Sequence, residues 1–198
     1  MNNTPHTNCL TLRLLHAAKG YKAVAFDIFD TLLKRDCAHP ADLFALMEVT
    51  HQAALGFARA RVAAEAETRQ TLGREVTLAE IYAHPALRGT DPAAECAAEL
   101  AMIAPNRPVA QAAEACHARG QKVYAVSDMY LPKEQIEAML QKCGLDFLDG
   151  VFVSCEYRMQ KRSGKLFKLF LQQTALRPAE VLFVGDSPRA DFAGAVLA

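Results

Sequence analysis

The chain has 198 residues, 52% of them hydrophobic, which is enough for one full core with a small inserted domain and excludes a disordered chain. Its 22 basic and 22 acidic residues cancel, and the basic residues form no stripe, so nucleic acid is not an expected partner. No apolar run approaches the roughly 18 residues of a membrane span and no signal peptide is visible, so no membrane partner is expected either.

The first part of the chain predicts one helix and one buried strand. Leucines at helical spacing predict a short amphipathic helix that ends at Gly20. The apolar run Ala23–Phe26 then predicts a strand that is buried on both faces.

From about Pro40 to Ile103 the sequence predicts only helices. The segment Phe57–Leu72, rich in alanine, glutamate and arginine, predicts a long helix. Thr77, with Glu80 at the third helical position, predicts a short helix with a capping box, and Asp91 before a proline predicts the start of another helix.

From Val109 onward the chain alternates helices and strands. The predicted helices are Val109–Arg119, Pro132–Cys143 and Lys165–Thr174, and the predicted strands are Val123–Ser127, Val151–Ser154 and Val181–Val184. This alternation indicates a doubly wound parallel α/β sheet. We therefore expect an α/β core of residues 1–35 and 105–198 and a helical insert of residues 36–104, with hinges at 32–40 and 105–108.

The last predicted helix, Asp191–Ala198, is followed by no further strand, so we expect the core to continue in a longer natural protein. The six cysteines form no CxxC pair and the six histidines form no HxxxH or HxxE pattern. Reduced cysteines indicate a cytoplasmic protein, and the histidine spacing argues against a zinc site.

Three predicted strands end in polar side chains, which a parallel sheet presents together at its carboxyl edge. Asp27 follows the first strand, with Thr31 four residues later, and is the preferred nucleophile. Asp30 is a rival, although it lies in the turn. Each such aspartate, taken alone, is more often a turn cap.

Ser127 ends the second strand and could donate a hydrogen bond to a phosphate oxygen, while Asp128 begins the next loop. Lys161 could neutralise charge on a carboxylate and a phosphate, although an isolated lysine is usually solvated. Asp186 and Asp191 follow the last strand, and with Asp27 they would form an all-oxygen site suited to Mg²⁺.

In this order, the segments resemble the four motifs of the haloacid dehalogenase (HAD) superfamily. The matching residues are Asp27–Thr31, Ser127, Lys161 and Gly185–Asp191. Lys161 fits the third motif better than Lys165, because Phe167 lies six residues after it. The resemblance implies a HAD-like Rossmannoid parallel sheet core with an inserted all-helical C1 cap, and Mg²⁺ held by Asp27, Asp186, Asp191 and the Phe29 carbonyl.

A narrower resemblance concerns predicted bacterial HAD hydrolases that are often linked to glycosyltransferases. It is carried by the predicted helix with Arg61, Ala64, Glu65 and Arg69 and by the segments FDIFDTLLKR, PADLF, EVTLAEIY, VSDMYLP and KRSGKLF. It implies a glycosyltransferase-linked context but names no substrate.

One position departs from the superfamily pattern. HAD phosphatases usually carry a second aspartate two residues after the nucleophile as general acid and base, and here that position is Phe29. Loss of such a group typically costs roughly 10²–10⁴-fold in rate. An aromatic residue there resembles 2-haloacid dehalogenases instead, and Asp30 or Asp128 are the candidates for the missing proton transfer.

Arg61, Glu65 and Arg69 share one face of the long predicted helix. Either they form a solvated ladder of ion pairs, or Arg61 and Arg69 reach a second anionic group of the substrate when the cap closes.

These residues, together with the two resemblances, lead to three candidate functions. We expect a Mg²⁺-dependent phosphatase or phosphotransferase acting on a small-molecule substrate, with a sugar phosphate or nucleotide sugar favoured. The alternatives are a metal-independent 2-haloacid dehalogenase and a catalytically weak module that acts as the partner of a glycosyltransferase.

Overall fold

The computed structural model describes residues 8–50 and 52–197, which contain ten α-helices and six β-strands. The helices are α1 (Cys9–Ala17), α2 (Asp42–Val49), α3 (Phe57–Leu72), α4 (Leu78–Tyr82), α5 (Pro92–Met102), α6 (Arg107–Ala118), α7 (Lys133–Lys142), α8 (Ser154–Tyr157), α9 (Lys165–Thr174) and α10 (Gly194–Val196). The strands are β1 (Ala23–Phe26), β2 (Leu33–Arg35), β3 (Ile103–Pro105), β4 (Lys122–Ser127), β5 (Gly150–Val153) and β6 (Val181–Val184). No helix in the described part of the chain is long and apolar enough to span a membrane.

Four parallel strands form the main sheet in the order β5-β4-β1-β6. Phe26 on β1 is in register with Ala125 on β4 and Val184 on β6. The Asp27 N–H donates to the Val184 carbonyl at 2.8 Å, which extends this pairing by one residue. The register places the carboxyl ends of the three strands that carry polar residues at one edge, and the predicted α/β fold class is confirmed.

Helices cover both faces of the sheet. Val24 and Phe26 of β1 point into a cluster with α1, α6 and α7, whereas Ala25 points into a cluster with α9. All four residues of β1 are buried, because a parallel sheet with helices on both sides leaves neither face in water. This explains why the strands are continuous apolar runs in the sequence.

The helices α2 to α5 pack around a core of their own, which includes Leu43, Met47, Ala64 and Ile81. As predicted, α3 covers Phe57–Leu72 and α4 begins with a capping box between Thr77 and Glu80. The exact boundaries of the insert at residues 36 and 104 stay a prediction.

The two segments that join this helical cluster to the sheet pair with each other, which the sequence did not indicate. Strands β2 and β3 form an antiparallel ribbon in which Leu33 faces Pro105. Asn106 fastens the ribbon, since its backbone N–H donates to Leu32 at 2.8 Å and its side chain to the Thr31 carbonyl at 2.7 Å. The expected hinges therefore lie side by side.

The end of the chain differs from the predicted helix over Asp191–Ala198. A π-helical turn covers Pro188–Ala193, with the Ser187 side chain accepting from the Ala190 N–H, and the short α10 follows. Proline is favoured in a first helical turn, so the helical structure begins earlier than predicted. Ala198 lies outside the described residues.

Candidate active site

A buried lysine bridges two buried aspartates at the carboxyl edge of the sheet. Lys161 Nζ lies 2.5 Å from Asp27 Oδ1 and 2.5 Å from Asp191 Oδ1. All three residues are at most 6% exposed. The structure thus brings together three side chains that were predicted to act in one site.

The segment that carries Lys161 is fixed by its backbone. It forms a single turn of 3₁₀-helix before α9, and the Lys161 N–H donates to Asp128 Oδ1 at 2.8 Å. Gly194 packs against the Lys161 carbonyl so closely that a Cβ at residue 194 would overlap it. Close packing behind this turn therefore directs the lysine toward the sheet edge.

Asp191 is held in a similar way by the loop after β6. The Ser187 N–H donates to Asp191 Oδ2 at 2.9 Å. A Cβ at Gly185 would overlap the Asp191 carboxylate, so this close approach requires glycine at residue 185.

The carboxylates of Asp27, Asp186 and Asp191 form a compact group, with one oxygen from each within 4.8 Å of the others. Asp186 is exposed, and Asp191 Oδ1 accepts no hydrogen bond of normal geometry from any described residue, although Lys161 Nζ is close to it. An oxygen-only donor set with a free buried lone pair fits a small hard cation such as Mg²⁺.

Burial changes the acidity of these groups. It raises the pKa of Asp27 to about 6, against the opposing effect of Lys161. Burial also raises the pKa of Asp128 to about 6, against the opposing hydrogen bond from the Lys161 backbone. Burial alone would lower the pKa of Lys161, but Asp27 and Asp191 more than offset it and hold that pKa above its usual value. The lysine therefore stays charged.

A cavity of about 310 Å³ opens above this group. Its lining residues are Asp27, Phe29, Asp30, Arg35, Pro40, Glu65, Arg69, Ser127, Asp128, Met129, Tyr130, Lys161, Ser187, Ala190 and Asp191. Glu65 and Arg69 belong to α3, so the helical cluster forms part of the wall. Asp186 lies in an adjacent depression that shares Ser187 and Asp191 with the cavity.

Ser127 and Thr31 are both buried, but only Ser127 lines the cavity. Thr31 Oγ1 has no hydrogen-bond partner among the described residues. Asp30 is exposed, lies on the cavity wall and has a left-handed backbone with φ of 60°. These positions are compatible with the predicted site, and the roles of the three residues stay predictions.

The Phe29 ring occupies the wall where a second aspartate is usual. The Arg35 guanidinium stacks over it, 4.0 Å from the ring centroid. Arg35 also donates to both oxygens of Glu99, at 2.8 and 3.2 Å. An aromatic ring and a paired arginine thus replace a free carboxylate at this point.

The structure contradicts the expectation that Arg61 reaches a substrate. Its side chain is fully buried inside the helical cluster and donates to both oxygens of Glu95, at 2.7 and 2.9 Å. It also lies 4.8 Å from the centroid of Phe44. Arg61 is therefore a structural residue, whereas Arg69 does line the cavity.

Sequence reasoning missed Glu75, a buried carboxylate between α3 and α4. It accepts from Gln160 Nε2 at 3.1 Å and contacts Arg69 Nη1. Glu75 thereby connects the helical cluster to the residue that precedes Lys161. Nothing in the local sequence distinguishes it from a surface glutamate.

Several solved structures share this fold at low sequence identity. A HAD phosphatase from Thermococcus onnurineus has a TM-score of 0.60 and 20% identity, over 88% of this chain and 81% of that one. A putative HAD hydrolase from Bacillus subtilis bound to magnesium has a TM-score of 0.62 and 19% identity, over 90% and 85%. The L-2-haloacid dehalogenase from Xanthobacter autotrophicus has a TM-score of 0.61 and 21% identity, over 89% and 74%.

No curated protein matches the chain significantly in sequence. At the level of the family, however, residues 21–198 match the haloacid dehalogenase-like hydrolases. The match covers the sheet, the helical cluster and the cavity between them. The chain therefore belongs to the haloacid dehalogenase-like hydrolase family.

Proposed function

We propose that this hydrolase is a Mg²⁺-dependent phosphatase or phosphotransferase that acts on a small phosphorylated metabolite. The observation that carries the proposal is the group of three carboxylates from Asp27, Asp186 and Asp191 beside the buried Lys161. Such oxygen ligands suit Mg²⁺, which commonly also takes a substrate phosphate. The resemblance to hydrolases linked to glycosyltransferases supports a sugar phosphate as the substrate.

In the proposed reaction, an Asp27 carboxylate oxygen attacks phosphorus while the bond from phosphorus to the leaving oxygen breaks. Water or another acceptor then takes the phosphoryl group from the aspartyl phosphate. Ser127 and Lys161 hold the phosphoryl oxygens and offset their growing negative charge. Mg²⁺, held by the three aspartates and the Phe29 carbonyl, would screen the repulsion between the carboxylate and the phosphate.

The leaving oxygen needs a proton, and Phe29 has none to give. Among the described residues, ion pairs engage the Asp27, Glu65 and Asp191 carboxylates of the cavity wall but not those of Asp30 and Asp128. Asp128 is the better candidate, because burial raises its pKa to about 6 and a fraction is protonated at neutral pH.

The test is phosphate release by the purified protein from a broad panel of sugar monophosphates. Release that requires Mg²⁺, stops with a chelator and is abolished by Asp27→Asn supports the proposal. Release from no member of the panel, or residual release that Asp27→Asn leaves unchanged, counts against it.

A second candidate is a metal-independent 2-haloacid dehalogenase, favoured by the Phe29 ring in the cavity wall. In that case Asp27 attacks carbon, halide leaves and water hydrolyses the aspartyl ester. Halide release from 2-haloacids in the presence of a chelator would support this alternative, particularly if Asp186→Asn leaves the rate unchanged.

A further inference from the structure

Every basic residue that lines the cavity, among those the structure describes, is already paired with carboxylates. These residues are Arg35, Arg69 and Lys161. Lys161 bridges Asp27 and Asp191, and is committed to the phosphate end of the cavity.

Arg35 is neutralised by Glu99 in a bidentate pair, with N–O distances of 2.8 and 3.2 Å. The Glu99 side chain is 1% exposed and that of Arg35 is 7% exposed, so water screens this pair little. The fork of the guanidinium is occupied by both carboxylate oxygens. Arg35 is therefore not free to bind a carboxylate or phosphate of a substrate.

Arg69 is neutralised by two carboxylates. Its Nε donates to Glu65 Oε1 at 3.0 Å, and its Nη1 contacts Glu75 Oε1. Glu75 is buried and also accepts a hydrogen bond from Gln160, which directly precedes Lys161 in the chain. The one arginine that α3 presents to the cavity is thus surrounded by negative charge.

Beyond the phosphate end of the cavity, where Mg²⁺ and Lys161 would balance Asp27 and Asp191, the described wall has three carboxylates and two arginines that are already paired. The three carboxylates are Asp30, Glu65 and Asp128. A second anionic group on a bound substrate would face these acids without an available cation, and like charges at close range disfavour binding. Hydroxyl groups, by contrast, donate hydrogen bonds to carboxylates.

The size of the cavity points in the same direction. Its volume of about 310 Å³ is at the lower end of the range for ligand sites, which is about 300–1,000 Å³. A volume of this size accommodates a hexose or polyol phosphate.

We propose that the group attached to the phosphate is small, uncharged and rich in hydroxyls, and that Glu65 and Glu75 determine this specificity by neutralising Arg69. The inference rests on the proposed phosphatase function and narrows its substrate class.

The first test uses the unmodified protein with Mg²⁺ and two substrates that differ at one carbon, glucitol 6-phosphate and gluconate 6-phosphate. We expect kcat/KM to be at least roughly tenfold higher for the uncharged polyol, which corresponds to about 1.4 kcal/mol. Equal values, or a preference for the acid, would overturn the inference.

The second test changes the charge of the wall. Glu65→Gln should reduce the preference for the polyol several-fold, chiefly by lowering KM for gluconate 6-phosphate, because Arg69 loses a partner. Glu67→Gln is the matched control, since Glu67 lies on the same helix, is exposed and does not line the cavity. Equal effects of the two variants would overturn the role of Glu65. If Glu65→Gln does not fold, the comparison of glucitol 6-phosphate with gluconate 6-phosphate still tests the substrate class.

Different results would contradict the substrate class and the phosphatase function. Phosphate release that favours the acid contradicts only the substrate class. Absence of release from both compounds and from the wider panel contradicts the phosphatase function, and the inference falls with it.

Discussion

Lys161 and Asp27 are 134 positions apart in the sequence, yet Lys161 Nζ lies 2.5 Å from Asp27 Oδ1. The same ammonium is 2.5 Å from Asp191 Oδ1, and all three side chains are nearly inaccessible to water. One buried cation thus balances two buried carboxylates. The stability of this site therefore depends on the lysine that the proposed reaction also uses.

Replacing Lys161 with methionine should destabilise the metal-free protein by about 3–5 kcal/mol at pH 8, since it leaves two buried carboxylates without a counter-charge. The cost should be smaller at pH 5, where Asp27 takes up a proton because burial raises its pKa to about 6. Lys165→Met is the control, because Lys165 is exposed on α9. Denaturant unfolding of both variants measures the difference, and similar losses for both would contradict the bridging role.

Asp186 should control metal affinity without affecting the metal-free fold, because it is exposed while the other two aspartates of the group are buried. We expect Asp186→Asn to raise the Mg²⁺ concentration that stabilises the protein against heat by at least roughly tenfold. Thermal melting across a Mg²⁺ titration measures this shift. Asp146→Asn, an exposed change outside the cavity wall, should follow the unmodified curve. If the Asp186→Asn curve superimposes on that of the unmodified protein, Asp186 is not a Mg²⁺ ligand.

The ends of the strands could be predicted from the sequence because a parallel sheet obeys a local rule. An apolar run that is followed by a polar residue, such as Asp27 or Ser127, predicts a strand. It also predicts that the polar side chain lies at the carboxyl edge of the sheet. The predicted strand Val181–Val184 agrees with β6 for the same reason.

The pairing of distant segments could not be predicted in this way. Spacing along α3 puts Arg61 and Arg69 on one face, but only the packing of α5 decides that Arg61 meets Glu95 and is buried. The ribbon of β2 and β3 likewise joins segments with no local strand signal. Glu75 acquires its role from Gln160, on a loop 85 positions later.

Arg61 should matter for stability and not for substrate affinity. Arg61→Met leaves Glu95 buried with the Tyr82 hydroxyl, at 2.9 Å, as its only remaining side-chain donor among the described residues, and should cost about 3–5 kcal/mol. The double variant Arg61→Met/Glu95→Leu should recover much of that loss, because it also removes the unpaired acid. Urea unfolding measures both variants. A rise in KM for a phosphate substrate, measured on folded Arg61→Met, would indicate that Arg61 does contribute to substrate binding.

Asp128 should make the metal-free protein less stable as pH rises. Its folded pKa of about 6 lies above the usual 3.8, so the folded state binds the proton more tightly than the unfolded state and loses stability as pH rises through that window. Asp128→Asn removes the charge, and its stability relative to the unmodified protein should increase between pH 4 and pH 8 by up to about 3 kcal/mol. Melting at several pH values measures this, with Asp146→Asn as the control. A difference that does not vary with pH would mean that burial does not perturb Asp128.

Asp128→Asn also tests whether Asp128 donates a proton to the leaving oxygen, which Phe29 cannot do. An alkoxide leaving group, as in a sugar phosphate, needs protonation, whereas p-nitrophenolate leaves without it. Asp128→Asn should therefore lower kcat for the sugar phosphate by roughly 10²-fold or more and leave p-nitrophenyl phosphate much less affected. Asp30→Asn provides the comparison, because Asp30 also lies on the cavity wall but is exposed. If Asp30→Asn produces the selective loss instead, Asp30 in the turn after Phe29 donates the proton. If Asp128→Asn lowers kcat equally for both substrates, Asp128 shapes the loop that carries Lys161 and transfers no proton.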